Sequence, residues 1–272
     1  MLSCSLIIAT LGRKQELARL LDSLATQTRP PSQIILVDQN PQGYLEKTLE
    51  PYRAALPLVI LTAEPKGVSL ARNIGLEYAD GDIIAFPDDD CWYLPDTLER
   101  VCQCFDAGPA LDGLIVAWAE QPCARKPSGH LTTVDAVDAF RRAGTLVQFY
   151  RSHTLTDVRY DPLLGPGTGL PYGCGEDTDY LLQILKKGHG VKRSEEVLVG
   201  HPEPDTRAPG FVAKTRAYAQ GRMYLLRKHG FPLWFKVANI VYPLVCLVRE
   251  GPQAWQYRKE MFLGRLTAFF QS

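Results

Sequence analysis

Three consecutive carboxylates, Asp88-Asp89-Asp90, are the residues of this 272-residue chain with the clearest chemical capacity. They follow the apolar run Asp82-Ile83-Ile84-Ala85-Phe86-Pro87, which reads as a buried strand. Like charges at a strand end repel one another and draw water toward the core. A hard divalent cation removes that repulsion by taking carboxylate oxygens as ligands. Mg²⁺ or Mn²⁺ held in this way keeps positions open for substrate phosphates. The competing reading is a solvated acidic turn. Two more groups stand at element ends. Glu176-Asp177 opens a helical pattern, and His201 follows a strand in Gly200-His201-Pro202.

The elements that must position these groups alternate strand and helix. Apolar runs at 5–10, 33–38 and 57–61 read as strands, and Leu17, Leu20, Leu21 and Leu24 have helical spacing. A helix follows over 68–79, then the strand that leads to the aspartates, then a helix from Pro95 to about Phe105. Residues 114–119 read as another strand, 176–187 as a helix and 191–199 as a last strand. This alternation is the pattern of a parallel sheet covered on both faces. Such sheets bind ligands beyond the carboxyl ends of their strands, where Thr10, Asp38 and Asp88 all fall. Residues 165–175 are too rich in glycine and proline for helix or central strand, and such loops are usually functional or mobile.

Composition is that of an ordinary soluble globular protein, and the formal net charge is zero. The charge is unevenly distributed. Residues 206–272 hold eleven Lys and Arg against Glu250 and Glu260, net +9, which leaves −9 for residues 1–205. The division suggests metal binding in front and an anionic surface or neighbour behind. The seven cysteines show no paired zinc spacing and read as reduced thiols of a cytosolic protein. No secretory signal pattern opens the chain. Residues 231–248 come nearest to a membrane span, but Lys236, Asn239 and Pro243 interrupt them.

Several signatures in one order resemble glycosyltransferase family 2, the inverting enzymes of GT-A fold. They are Leu6-Ile7-Ile8-Ala9-Thr10 with Arg13, Ile35-Leu36-Val37-Asp38, the segment Gly67 to Gly75, Phe86-Pro87-Asp88-Asp89-Asp90 as the DxD motif, and Gly175-Glu176-Asp177 as the ED motif. The resemblance covers roughly residues 3–205. It implies a GT-A fold: an α/β, Rossmann-like, mostly parallel central sheet flanked by helices. Residues 1–205 would form the nucleotide-sugar-binding and catalytic domain, and 206–272 a basic amphipathic helical extension.

The resemblance also implies roles. Thr10 and Asp38 would hydrogen-bond a base or ribose, with a helix cap as the alternative for either. Arg72 would reach the nucleotide or pair with a carboxylate. Asp88 and Asp89 would contact the nucleotide, and Asp88 and Asp90 would bind Mn²⁺ or Mg²⁺, with Asp90 the direct ligand. His201 would join the metal or the diphosphate. Asp177, with Glu176 beside it, would be the general base that takes the acceptor's proton. Trp92, Tyr93 and Tyr172 would serve a sugar face or the core.

The expected reaction moves a sugar from a nucleoside-diphosphate sugar, UDP-linked, to a hydroxyl on a saccharide or lipid-linked acceptor, in surface polysaccharide assembly. The alternatives are a sugar-phosphate nucleotidyltransferase and a non-catalytic nucleotide- or glycan-binding scaffold. The first normally needs a glycine-rich N-terminal loop, and residues 11–15 hold one glycine. No nucleic-acid partner is expected. The basic helix around Tyr218 to Lys228 and the apolar stretch after it suit an anionic bilayer, so the expected location is cytoplasmic, peripheral on the inner face of the plasma membrane.

Overall fold

The computed structural model describes residues 1–64, 66–121, 129–140, 144–203 and 209–271. One of the seven cysteines, Cys123, and one of the eleven bases of residues 206–272, Arg207, lie outside them. The chain divides into two compact units: residues 1–160 with 180–203, and residues 161–179 with 204–272.

The first unit is built on a nine-stranded mixed sheet. Its opening half alternates β1 (Cys4–Thr10), α1 (Gln15–Ala25), β2 (Gln33–Asp38), the short α2 (Glu46–Leu49), β3 (Leu58–Thr62), α3 (Val68–Leu76) and β4 (Ile83–Ala85). β3, β2, β1 and β4 pair in parallel, with Thr10 opposite Asp38 and Asp38 opposite Thr62. The near-continuous apolar sequences of β1, β2 and β4 follow from burial on both faces. Leu17, Leu20, Leu21 and Leu24 line the inner side of α1, and burial of each contributes about 1.5–3 kcal/mol. α3 lies close on the sheet because residue 75 is glycine. A Cβ there would stand 2.4 Å from Cγ2 of Ile7.

The following half is β5 (Trp92–Tyr93), α4 (Thr97–Ala107), β6 (Gly113–Ala119), β7 (Leu131–Thr133), β8 (Gln148–Arg151), α5 (Glu176–Lys186) and β9 (Val191–Gly200). β8 inserts antiparallel between β4 and β6, and β9 runs parallel to β6. β7 and β5 pair antiparallel with the start and the end of β9. The sheet is the α/β arrangement expected from the sequence, with these short antiparallel strands added. β4 stops at Ala85 rather than running to Pro87, and Phe86 packs edge-on against Tyr160 and Tyr180. The first turn of α5, through Asp179, groups with the second unit and the remainder with the first.

The second unit holds α6 (Pro209–Lys228), α7 (Leu233–Glu250) and α8 (Trp255–Phe270) with the loop from Asp161. α6 and α8 approach closely at Gly264, where a Cβ would lie 2.7 Å from the Arg216 carbonyl oxygen. The bases of α6 that the sequence assigned to a membrane surface are held inside this unit. Nε of Arg222 donates to Asn239, Arg227 to the carbonyls of Ala268 and Gln271, and Lys228 to Asp161 and Asp179. Among the described residues, no helix is long and apolar enough to cross a membrane.

Candidate active site

Strand register assembles the acidic site of the first unit. β1 delivers Thr10 to the carboxyl edge of the sheet, beside Asp38 of β2. The chain leaving β4 reaches the same edge with Asp88-Asp89-Asp90, then returns as β5. Pairing of Trp92 with Gly200 sets the end of β9 against the residues just before β5. His201, one step beyond that pair, is thereby brought to Asp90, with Nε2 3.3 Å from Oδ1.

The three aspartates face different partners. Asp88 accepts from Arg72 at 2.7 Å, and Arg72 is almost fully buried with its guanidinium over the Tyr160 ring. Next to it, Asn73 holds the Tyr160 peptide through both its amide groups. Asp89 turns inward, accepting from the Thr10 hydroxyl at 2.8 Å and from Arg13 at 2.9 Å. Asp90 pairs with Arg13 as well as His201, and the backbone carbonyl of Asp90 accepts from Arg19, which lies over the Trp92 ring. Asp88, Asp90 and His201 each bring one donor atom to a cluster whose atoms all lie within 4.8 Å of one another. Two carboxylates and an imidazole are a donor set that suits Mn²⁺.

The electrostatics follow from these contacts. Burial pushes the Asp89 carboxyl up, more than Arg13 and Thr10 bring it down. Burial also raises Asp90, but its hydrogen bond to His201 and the Arg13 charge outweigh that and leave it below the usual carboxylate range. For His201, burial disfavours the charged form, and the bond to Asp90 with the charges of Asp90 and Asp88 more than reverses it. Burial likewise opposes the Arg13 charge, while the three aspartates hold it on.

The structure brings Thr10, Asp89 and Asp90 into one bonded network through Arg13, and Asp88 to Arg72. Asp38 stands at the same strand edge, and its Oδ1 accepts from the backbone N–H and side-chain amide of Asn40. Neither Thr10 nor Asp38 caps a helix: α1 is preceded by Lys14 and α2 by Leu45. Tyr93 is a core residue against Phe149, and Tyr172 stacks on Tyr224 within the second unit. Two residues of the network carried no functional expectation of their own. Arg13 bridges two aspartates, three residues beyond β1, and its signal was a base, next to Lys14, near the acidic edge. Trp118, on β6, meets the His201 ring edge-on at 5.2 Å, which no local pattern announces.

Glu176 and Asp177 lie in the second unit. Gly173 to Gly175 are pressed against α6, and a Cβ on Gly221 would stand 2.2 Å from the Cys174 carbonyl oxygen. Gly175 has φ of +107°, which a side chain would strain. Two residues beyond Asp177, the fully buried Asp179 meets His229 at 2.7 Å and Lys228 at 3.0 Å. Lys228 also meets Asp161 at 2.6 Å, and the Tyr224 hydroxyl donates to Asp161. These bonds anchor the helix start that carries Glu176, itself buried, and Asp177.

Comparison with known proteins supplies the family. The chain is 28% identical over 240 residues to the succinoglycan biosynthesis protein ExoM of Rhizobium meliloti, covering 83% of this chain and 77% of ExoM. An uncharacterized glycosyltransferase of Haemophilus influenzae is 29% identical over 109 residues, which are 40% of this chain and 36% of that protein's own length. A mannosyltransferase of Pyrobaculum calidifontis, solved with GDP-Man and Mn²⁺, shares the fold with a TM-score of 0.68 at 14% identity, over 100% of this chain and 88% of that one. The 1–349 portion of TarS from S. aureus, solved with UDP-GlcNAc, gives 0.64 at 16% identity, over 98% and 93%. The likeness to these two structures shows a GT-A-like fold. Residues 5–154, more than half of the chain, match Glycosyl transferase family 2, and the chain belongs to that family.

Proposed function

We propose that this protein transfers a sugar from a nucleoside-diphosphate sugar, UDP-linked, to a hydroxyl of a saccharide or lipid-linked acceptor, with inversion at the anomeric carbon. The observation that carries the reading is the gathering of Asp88, Asp90 and His201 at the carboxyl edge of a sheet in a family 2 chain. That edge is where open α/β sheets take nucleotides.

In this reading Asp90, Asp88 and His201 hold Mn²⁺ or Mg²⁺, and the imidazole favours Mn²⁺. The chemistry the cation supplies when bound is neutralisation of charge on the departing diphosphate. Asp38 offers carboxylate oxygen to the base or ribose from the position next to Thr10. Thr10 and Asp89 brace each other at the nucleotide side, and Arg72 fixes the orientation of Asp88. Asp177 accepts the proton of the acceptor hydroxyl as that oxygen bonds to the anomeric carbon. The bond from that carbon to the diphosphate oxygen breaks, and its electron pair leaves with the diphosphate. One displacement inverts the centre and requires no protein nucleophile. Glu176 lies beside the base at the same helix start.

ExoM is named for succinoglycan biosynthesis, and we place this chain in the assembly of a comparable surface polysaccharide, on the inner face of the plasma membrane with an anionic lipid surface as its neighbour. The test begins with a thermal-shift panel of nucleoside diphosphates with and without Mn²⁺, followed by Asp177→Asn. The substitution should leave nucleotide binding unchanged and lower transfer by about 10²–10⁴-fold. Equal transfer by the variant would remove Asp177 as the base. A panel in which no diphosphate stabilises the protein with metal would remove the donor class.

A further inference from the structure

α7 is an inverted helix. Its polar Asn239 points inward, where Oδ1 accepts from Arg222 and the backbone carbonyl accepts from Arg265. Ile240 and Pro243 are buried beside it, but most of the apolar side chains point out. Leu233, Trp234, Val237, Val241, Val245 and Val248 recur at helical spacing on one stripe and are exposed, Trp234 by 70% and Val248 by 88%. A helix of 18 residues is about 27 Å long, so this is an extended apolar surface, and monomeric soluble proteins rarely leave one uncovered.

The charges around the stripe choose its occupant. The two acidic residues of the tail are engaged within the unit, Glu250 with Arg258 and Glu260 with Arg216. Lys214, Lys236, Arg249 and Lys259 have no ion-pair partner among the described residues. A second copy of α7 seated on this stripe would bring its bases, Lys236 and Arg249, against their counterparts, and both acids of the tail are already engaged. An anionic bilayer answers these bases and also covers apolar side chains. Trp234, Tyr242 and Trp255 are exposed here, and such rings favour the headgroup level, where one end is apolar and the other wet. α7 is too short and too polar to span, so it lies along the surface.

We propose that the second unit docks on an anionic phospholipid bilayer through the outward stripe of α7, with the helix axis in the membrane plane. The inference rests on the membrane neighbour of the proposed function and names the surface that makes the contact.

The test is flotation of the full chain with phosphatidylcholine vesicles, with and without phosphatidylglycerol, at low and high salt. The chain should float with the anionic vesicles at low salt and much less with the others. Val245→Glu with Val248→Glu should lower the partition coefficient at least about tenfold, and Arg249→Glu with Lys259→Glu should abolish the preference for phosphatidylglycerol. Brominated lipid should quench the tryptophan fluorescence of the unsubstituted chain, and Trp234→Phe should remove most of that quenching, a readout independent of any folding defect. The response of the melting temperature to UDP with Mn²⁺, taken on the same samples, should not change in any of these variants. Flotation of the valine variants equal to that of the parent would keep the membrane neighbour and overturn the assignment of α7. A parent chain that stays at the bottom with every vesicle would overturn both and leave the sugar-transfer reading to its own assay. A dimer in sedimentation that the valine variants dissociate, without flotation, would assign the stripe to a second copy instead.

Discussion

Replacing Asp90 by Asn should cost the metal-free protein about 1 kcal/mol and should remove most of its response to Mn²⁺. Without metal, Asp90 accepts from Arg13 and His201. The Arg13 side chain is 42% exposed and keeps Asp89 as a partner at 2.9 Å. Loss of that pair costs about 0–1 kcal/mol and loss of the His201 bond about 0.5–1.5 kcal/mol, and relief of repulsion among three adjacent carboxylates offsets part of both. With metal the balance differs. A cation at a hundred times its dissociation constant stabilises the folded state by about 2.7 kcal/mol. If the lost carboxylate weakens binding about a hundredfold, the same concentration gives RT ln 2, about 0.4 kcal/mol. For a domain of about 150–250 residues these correspond to melting shifts of about 5–11 °C and about 1–2 °C. The assay is thermal unfolding at saturating UDP across a Mn²⁺ titration, parent beside Asp90→Asn. Equal Mn²⁺ increments in the two proteins would refute the ligand role of Asp90, whatever the fate of activity. A large metal-free loss would instead show that Asp90 is held there for structure.

Three more outcomes follow from the geometry. In the metal-free protein the folded carboxyl of Asp90 ionises below its ordinary 3.8 and His201 above its ordinary 6.5. The pair therefore stabilises fully between those ordinary values. Its contribution is lost as pH falls through the lowered Asp90 value and as pH rises through the raised His201 value. Urea unfolding across pH should show the alkaline loss in the parent and not in His201→Gln. Thr10→Val keeps the shape of a buried residue but takes a donor from Asp89, and should cost about 1–3 kcal/mol in urea unfolding with the slope unchanged. A loss below about 0.5 kcal/mol would show that the bond is dispensable. Gly200→Ala would set a Cβ 2.0 Å from the Trp92 ring, so it should destabilise by about 1–3 kcal/mol or more and weaken Mn²⁺ binding through the displaced His201.

The strands and helices of the opening half were legible because each announces itself by its own apolar spacing. Leu17, Leu20, Leu21 and Leu24 mark α1 without any knowledge of the sheet that they cover. β5, β7 and β8 were not legible for the opposite reason. Two to four residues are too few to show a period, and these strands exist only because β9, β6 and β4 offer them open edges. The site divides in the same way. The aspartates, Thr10 and Asp38 are visible as polar residues at strand ends. What lies across from them is set by register, as with His201 opposite Asp90, or by loop return, as with Arg13. The tail was legible only in part, for a related reason. Composition locates eleven bases but not their neighbours, and the helix richest in them, α6, spends Arg222, Arg227 and Lys228 on internal bonds.

The charge arrangement explains how a sequence can carry Asp88-Asp89-Asp90 at a strand end and still fold before any cation arrives. Arg72 answers Asp88, Arg13 answers Asp89 and Asp90, and a protonated His201 answers Asp90 from the other side. These cations differ in how firmly they are placed. Arg72 is almost fully buried, so its bond to Asp88 holds through any change at the surface. Arg13 is half-exposed and anchored also to Asp89, so it can release Asp90 without losing its place. His201 can surrender its charge altogether by giving up a proton. The two partners of Asp90 are thus the replaceable ones, and the partner of Asp88 is the fixed one. An incoming divalent ion would exchange positive charge for positive charge at Asp90 while Arg72 keeps Asp88 aimed. The exchange lets the site fold with its carboxylates already answered, and displacing Arg13 and His201 from Asp90 lowers the affinity for the cation in return.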